Sequence, residues 1–291
     1  MIMKNLPKQV KDSFKLSFCL VSGVSILLSL LGTSMKDILP LDSVQPEFLS
    51  TVMRFFVLLF VYLAVVYGIW FCIEKKYENS IALNIGGNRI TIRPGDIFKQ
   101  KAWRVIGMDT HFDTTVDDIV ISKNSLHGQL VLKHGNIESI KIAVQKEAQR
   151  RHILPDENGR YTFPLGTVIP YNGKDGHYIM VALTELNDDN EAHTRMPKYE
   201  NTLMNIWHEL SRVYEKHDLA LPILGSGITR FDDTKVEEAD LIRCMLCTLN
   251  TCNVQFKSNI SIVIYGGKST DGNKLNKLPL YEYKDIFNII R

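Results

Sequence analysis

Neither sign of charge dominates this 291-residue sequence: 34 lysines and arginines against 32 aspartates and glutamates leave a net charge of +2. No bulk field draws the chain to nucleic acid, and no nucleic-acid partner is expected. A disulfide framework is also missing. The 5 cysteines are an odd number without the spacing of a secreted scaffold, which points to free thiols in a reducing compartment. Walker A and G-x-G-x-x-G patterns are absent. Cys244-x-x-Cys247 has no second pair to complete a zinc site and reads as one face of a helix. The 8 histidines are scattered, and no Ser–His–Asp set is legible among them. These absences leave no catalytic residue, no metal and no cofactor to name.

What the chain has is distributed unevenly. Residues 16–33 and 55–73 are two apolar runs free of charged residues, each close to the length that spans a bilayer. A cleaved signal peptide does not explain the first run, because no small-residue cleavage site follows and a second run comes soon after. Lys4, Lys8, Lys11 and Lys15 precede the first run, and Lys75 and Lys76 follow the second. The loop between them carries Asp37, Asp42 and Glu47 against Lys36. Positive-inside bias therefore predicts a multi-pass membrane hairpin with both ends cytoplasmic and the acidic loop outside. Arg54 falls at the outer edge of the second run, where it can snorkel. Ser22, Gly23, Ser25 and Ser29 favour close helix packing and self-association.

The expected organisation is a hairpin over 1–76 and a cytoplasmic ligand-binding domain over 77–291. In that domain, residues 80–92 alternate around Gly86-Gly87-Asn88 as a β-hairpin. Asp96 is placed to cap a short helix. Apolar strands are predicted at 103–108, 178–186, 219–224 and 260–265, with helices over 203–217, 236–250 and 281–291. A strand pair or bend is expected at 161–171. Strands alternating with helices define an α/β fold, its mixed sheet flanked by helices. In such folds ligands bind beyond the carboxyl ends of strands.

Two segments stand at such ends. Gly225-Ser226-Gly227 follows an apolar strand and precedes a charged stretch read as a helix from Asp232. Glycines there let backbone N–H groups approach a phosphate, and a helix N-terminus would add positive potential. The second segment is the polar run Asp109 to Asp118. Its carboxylates Asp113, Asp117 and Asp118 are read as solvated capping groups in preference to metal ligands.

Set side by side, ITIRPGDIF at 90–98, MDTHFDTTVDDIVISKNSLHGQLV at 108–131, YTFPLGTVI at 161–169 and LPILGSGITR at 221–230 resemble the macro domains. More specifically they resemble the effectors of Thoeris anti-phage systems, whose type II members pair a divergent macro domain with two membrane spans. The resemblance covers essentially the whole chain. It implies a macro-domain fold that binds an ADP-ribose derivative, an amino-acid conjugate such as histidine-ADP-ribose made from NAD by a TIR-domain partner enzyme. It also implies homo-oligomerisation, disruption of membrane lipid and abortive infection. By position, Asp96 and Ile97 match residues that read adenine. Gly225, Ser226, Gly227, Ile228 and Thr229, with Arg230 after them, match the loop around the diphosphate. Asp109, Thr110, Phe112, Asp113, Thr114 and, beyond them, Asp117 occupy the segment beside the distal ribose. Leu126, His127 and Gly128 fall at the first glycine-rich phosphate loop. The family's N-A-A-N asparagines and its G-G-G-V loop are not preserved here. That departure argues against the rival reading, a membrane-tethered ADP-ribosyl hydrolase or NAD-consuming enzyme. It also leaves Asp113, Asp117 and Asp118 free to attract a cationic group on the ligand.

Overall fold

The computed structural model describes residues 8–30, 35–38, 47–77, 80–118, 120–187, 192–227, 229–232 and 235–265. The expected helix at 281–291, the end of the first expected span at 31–33, and Ile228 lie outside them. By its contacts the chain divides into two compact units, 1–79 and 80–291.

The first unit consists of α1 (Lys8–Leu30), the single turn α2 (Met35–Ile38) and α3 (Glu47–Tyr77). The second apolar run is thus part of a longer helix that begins at Glu47 and takes in the end of the expected loop. α1 and α3 pack together. The Phe14 and Tyr62 rings lie 6.4 Å apart, and the Gln9 side-chain amide donates to the Trp70 carbonyl at 3.3 Å. Ser13 and Ser17 are buried, each returning its hydroxyl to a carbonyl four residues earlier. Arg54, expected at an outer edge, is buried as well. Phe18, Phe55, Phe56 and Phe60 are exposed. Among the described residues, one segment, Phe48–Ile73, is long and apolar enough to cross a membrane by length and composition.

The second unit opens with a hairpin of β1 (Ile81–Ile85) and β2 (Asn88–Pro94). Its two-residue turn puts Gly86 and Gly87 at φ +55° and +83°, a conformation that glycine adopts without a Cβ clash. β3 (Trp103–Asp109) follows, then α4 (Leu126–Gln129), which runs on through a π-helical turn at Leu130–His134. After these come α5 (Ile137–Arg150), β4 (Val168–Gly173), β5 (Gly176–Leu186), β6 (Ala192–Thr194) and α6 (Met196–Val213). The unit continues with β7 (Leu219–Pro222), β8 (Arg230–Phe231), α7 (Glu238–Thr251) and β9 (Ile260–Ile264).

The sheet order is β1-β2-β9-β7-β3-β5-β6-β8, with β4 paired to β5. β2, β9, β7, β3 and β5 run parallel, whereas β1 pairs antiparallel with β2, and β4 and β6 pair antiparallel with β5; β8 pairs parallel with β6. Strand residues alternate between two buried faces. Ile106, Met108, Met180 and Ala182 share a core with Ile140, Val144 and Ala148 of α5. α6 and α7 bury Tyr199, Leu203, Trp207, Ile242, Met245 and Leu249, and the Trp207 indole donates to the Thr248 hydroxyl at 3.0 Å.

Of the two alternatives expected at 161–171, the bend forms, with Gly166 at φ +87°, and only the end of the stretch is strand, as β4. Two expectations are corrected. Helix α6 starts at Met196, with Pro197 in its first turn, where the missing N–H costs nothing. No helix begins at Asp232: after Gly227 the chain forms β8, whose Arg230 and Phe231 pair with His193 and Thr194, and α7 starts at Glu238.

Candidate functional site

Because the five central strands are parallel, the loops leaving their carboxyl ends lie along one edge of the sheet. The first is Gly95-Asp96-Ile97, after β2. Gly95 N–H donates to the Ile264 carbonyl at 2.8 Å, tying the loop to the end of β9. Asp96 is the expected cap: its Oδ1 accepts from Phe98 N–H at 2.9 Å, closing the 3-10 turn Ile97–Lys99. The Ile97 side chain is buried in the core.

The second loop, Ile223 to Gly227, follows β7 and is propped from below. The buried Tyr199 of α6 donates its hydroxyl to the Leu224 carbonyl at 2.7 Å, and Phe231 packs edge-on against the Tyr199 ring. Burial holds the Tyr199 phenol well above its ordinary pKa, so it remains a donor. Gly225 sits at φ +83°, where a Cβ would come within 3.3 Å of that ring. Ser226 donates its hydroxyl to the Ile223 carbonyl at 2.8 Å, and Ser226 and Gly227 are exposed. The expected helix dipole is not added to this glycine turn, since β8 intervenes. Arg230 belongs to β8 and is exposed, and Thr229 precedes it.

The third segment leaves β3. A register shift between Met108 and Asp109 re-aims the strand end. Asp109 is 4% exposed, and its Oδ1 accepts from His111 N–H at 2.6 Å. Phe112 adopts φ +52°, a conformation costly for a side chain with a Cβ, and its buried ring packs edge-on against Phe163. Thr110 is buried too; its N–H reaches the Thr184 carbonyl, and its own carbonyl accepts from Phe163. Phe112 and Thr110 therefore hold the loop rather than present side chains from it. Thr114 is half-buried.

The acidic cluster behaves largely as capping groups. Asp113 Oδ1 accepts from Thr115 N–H at 3.0 Å, and Asp117 Oδ1 from Val120 N–H at 2.8 Å. Asp118 takes both the N–H and the ammonium of Lys123, which holds its carboxyl below the usual range. Among the described residues no group of three His, Cys, Asp or Glu side chains is arranged to hold a metal. Burial raises the Cys244 thiol to about 11, as expected for a partly covered helix face.

α4 closes the segment. Ser125 caps it by accepting from Gly128 N–H at 3.0 Å. A Cβ on Gly128 would meet the Ser122 carbonyl oxygen at 2.3 Å, so only glycine fits against that turn. Leu126 packs on the core, and His127 is buried, its Nε2 2.8 Å from the Asp113 carbonyl. Tyr199, Phe231 and Phe163 were not legible as site residues. Pro197 signals an earlier start to α6, which would have drawn attention to Tyr199.

A mixed sheet flanked by helices, with three loops along the carboxyl edge of its parallel strands, is a macro-domain-like α/β fold. A family model described as the macro domain of the Thoeris protein ThsA matches residues 90–265. The chain is 30% identical over 224 residues to the Thoeris protein ThsA of Bacillus amyloliquefaciens (strain Y2), covering 73% of each. The chain belongs to this ThsA family. Among solved structures it is similar to a variant of the Oceanobacillus iheyensis macrodomain with ADPR. That match has 15% identity and a TM-score of 0.47, over 72% of this chain and 98% of the other. The same macrodomain with ADP gives 16% and 0.45, over 72% and 96%.

Proposed function

We propose that this protein is a membrane-anchored anti-phage effector of the type II Thoeris form, with two membrane-crossing helices. Its macro domain binds an ADP-ribose derivative, an amino-acid conjugate such as histidine-ADP-ribose, produced by a TIR-domain partner. Binding drives homo-oligomerisation, and the assembled spans disrupt the inner membrane, ending the infected cell. What supports the ligand class is the placement of two loops on one sheet edge: Gly95–Ile97, tied to β9, and Ile223–Gly227, tied to Tyr199. Membership in a Thoeris family supports the defence role, and the apolar exterior of α3 supports the anchor.

We assign no catalytic residue. Thr110 is buried, and the carboxylates at 113, 117 and 118 each engage partners within their own loop. For the signal to drive assembly, it must bind the assembled state more tightly than the resting one. The test is to incubate the detergent-solubilised full chain with ADP-ribose and its amino-acid conjugates, then measure ligand turnover and particle size together. Growth in size with intact ligand is expected. Turnover without a size change would replace the effector by a hydrolase.

A further inference from the structure

The contact between the end of β3 and α4 contains an unbalanced pair. Asp109 uses Oδ1 for the N–H groups of His111 and, at 3.5 Å, Asp113. Its Oδ2 is buried and, among the described residues, has no hydrogen-bond donor. Facing it at 3.8 Å is Nδ1 of His127. The state of that nitrogen follows from the other side of the ring. Nε2 lies 2.8 Å from the Asp113 carbonyl, which can only accept, so Nε2 carries a proton. In neutral His127, Nδ1 is then a lone pair aimed at a carboxylate oxygen. Such a pair repels, and 3.8 Å is well outside the ~2.8 Å of a charge-assisted N–H···O contact.

We propose that Asp109 and His127 form a proton-operated latch that positions the Asp109–Asp118 loop. With His127 neutral, the loop is tied to α4 through the Asp113 carbonyl, while Oδ2 of Asp109 stands off at 3.8 Å. One proton on Nδ1 converts repulsion into an imidazolium–carboxylate hydrogen bond and draws the turn of Asp109 to Asp113 onto the helix. The groups that face the ring are Asp109, from the end of β3, and Asp113, from the loop. The other titratable neighbours in the segment are engaged elsewhere. Lys123 holds Asp118, and Nδ1 of His111 reaches the Tyr161 carbonyl at 3.1 Å. Burial lowers the His127 pKa from its ordinary 6.5 against the pull of the two aspartates, which leaves the resting latch unprotonated near neutral pH.

The last step rests on the proposed ligand reading. A ligand that closes this loop over itself must bring in the proton. By reciprocity, affinity then rises as pH falls through the His127 pKa of the bound state and levels off below that of the free state. Asp109 and His127 are positioning residues in this scheme.

Calorimetric titration of the detergent-solubilised full chain with ADP-ribose, in buffers of different ionisation enthalpy, measures the proton directly. Uptake approaching one proton per ligand is expected, with affinity rising about tenfold per pH unit over the steep part of the curve. Asp109→Asn offers Nδ2–H to Nδ1 at every pH, and His127→Gln removes the titrating ring while leaving Asp109 in place. Either change abolishes uptake. Binding by the wild type without proton uptake, or uptake that persists in either variant, overturns the latch. Imidazole 15N spectra of the ligand-free protein provide a check that needs no ligand. The Nε2–H tautomer is expected, and the Nδ1–H tautomer overturns the latch by itself. A wild type that does not bind ADP-ribose refutes the ligand reading, and the tautomer then decides the latch alone.

Discussion

The two units of this chain bury opposite kinds of residue. In the helical unit, Ser13, Ser17, Ser50 and Arg54 are inside, while Phe18, Phe55, Phe56 and Phe60 are outside. In the sheet unit, Ile106, Ile140, Trp207 and Ile262 are inside, and charged pairs such as Lys198–Glu185 are at the surface. Water rewards the second arrangement, because removing apolar area from it is the main favourable term in folding. It penalises the first. The proposed anchor would reconcile the two, because a hydrocarbon surrounding favours an apolar helix exterior.

The comparison can be broken most sharply at a single exposed ring. Phe60→Asp would be harmless or solubilising if the helical unit faced water. In hydrocarbon it costs about 3 kcal/mol near the centre of a span, and the protein should be lost from the membrane fraction. A similar cost is expected in the sheet unit from the reverse kind of change. Trp207→Ala empties a fully buried site and removes the donor to Thr248, for about 3–5 kcal/mol in thermal or denaturant unfolding. Phe60→Ala should leave the unfolding of the sheet unit unmoved. Equal effects of the two alanine changes would refute the contrast.

Smaller effects sharpen the picture at the candidate site. Gly225→Ala forces a Cβ into a left-handed conformation against Tyr199, a strain of about 1–2 kcal/mol. ADP-ribose affinity should fall roughly tenfold while that for adenosine, which lacks the diphosphate, holds. Tyr199→Phe keeps the ring and removes the donor to Leu224, with an expected cost of about 1 kcal/mol and the same selectivity. Loss of adenosine and ADP-ribose binding in parallel would show that these changes act on the whole domain rather than the loop.

The smallest effect concerns acid stability. Desolvation works to raise the Glu147 carboxyl, but hydrogen bonds from Arg150 and Arg151 outweigh it, and the net shift is downward. A carboxyl lowered in the folded state contributes stability above its unfolded value of 4.5, and that contribution is lost as pH falls through the folded value. Glu147→Gln should therefore flatten the acid side of a melting-temperature profile and leave ligand binding unaffected.

Where the signal was local, it was legible in the residues themselves. Gly86-Gly87 specified a two-residue hairpin, because glycine adopts its positive φ values without a Cβ clash. Asp96 was recognisable as a cap, since an aspartate two residues before an orphan N–H can satisfy it. The apolar runs at β5, β7 and β9 announced buried parallel strands. The reading failed where a distant partner decided the outcome. The residues after Gly227 have the charge pattern of a helix, yet the chain pairs with β6 first, and only then turns into α7. The burial of the Phe112 and Ile97 side chains in the core was likewise not legible from their position in the motifs.

The sequence alone determined the division into an apolar N-terminal part and an α/β part, the order of the strands along the chain and the glycines of the candidate loop. These follow from hydrophobic period, length and backbone freedom, all of which act over a few residues. Only the tertiary structure decided that the loops after β2, β7 and β3 share one edge, because that depends on which strands lie side by side. It alone set Tyr199 beneath Leu224, and Nδ1 of His127 opposite Asp109. Contacts between residues 18 or 25 positions apart are selected by packing, and the intervening chain carries no local trace of them.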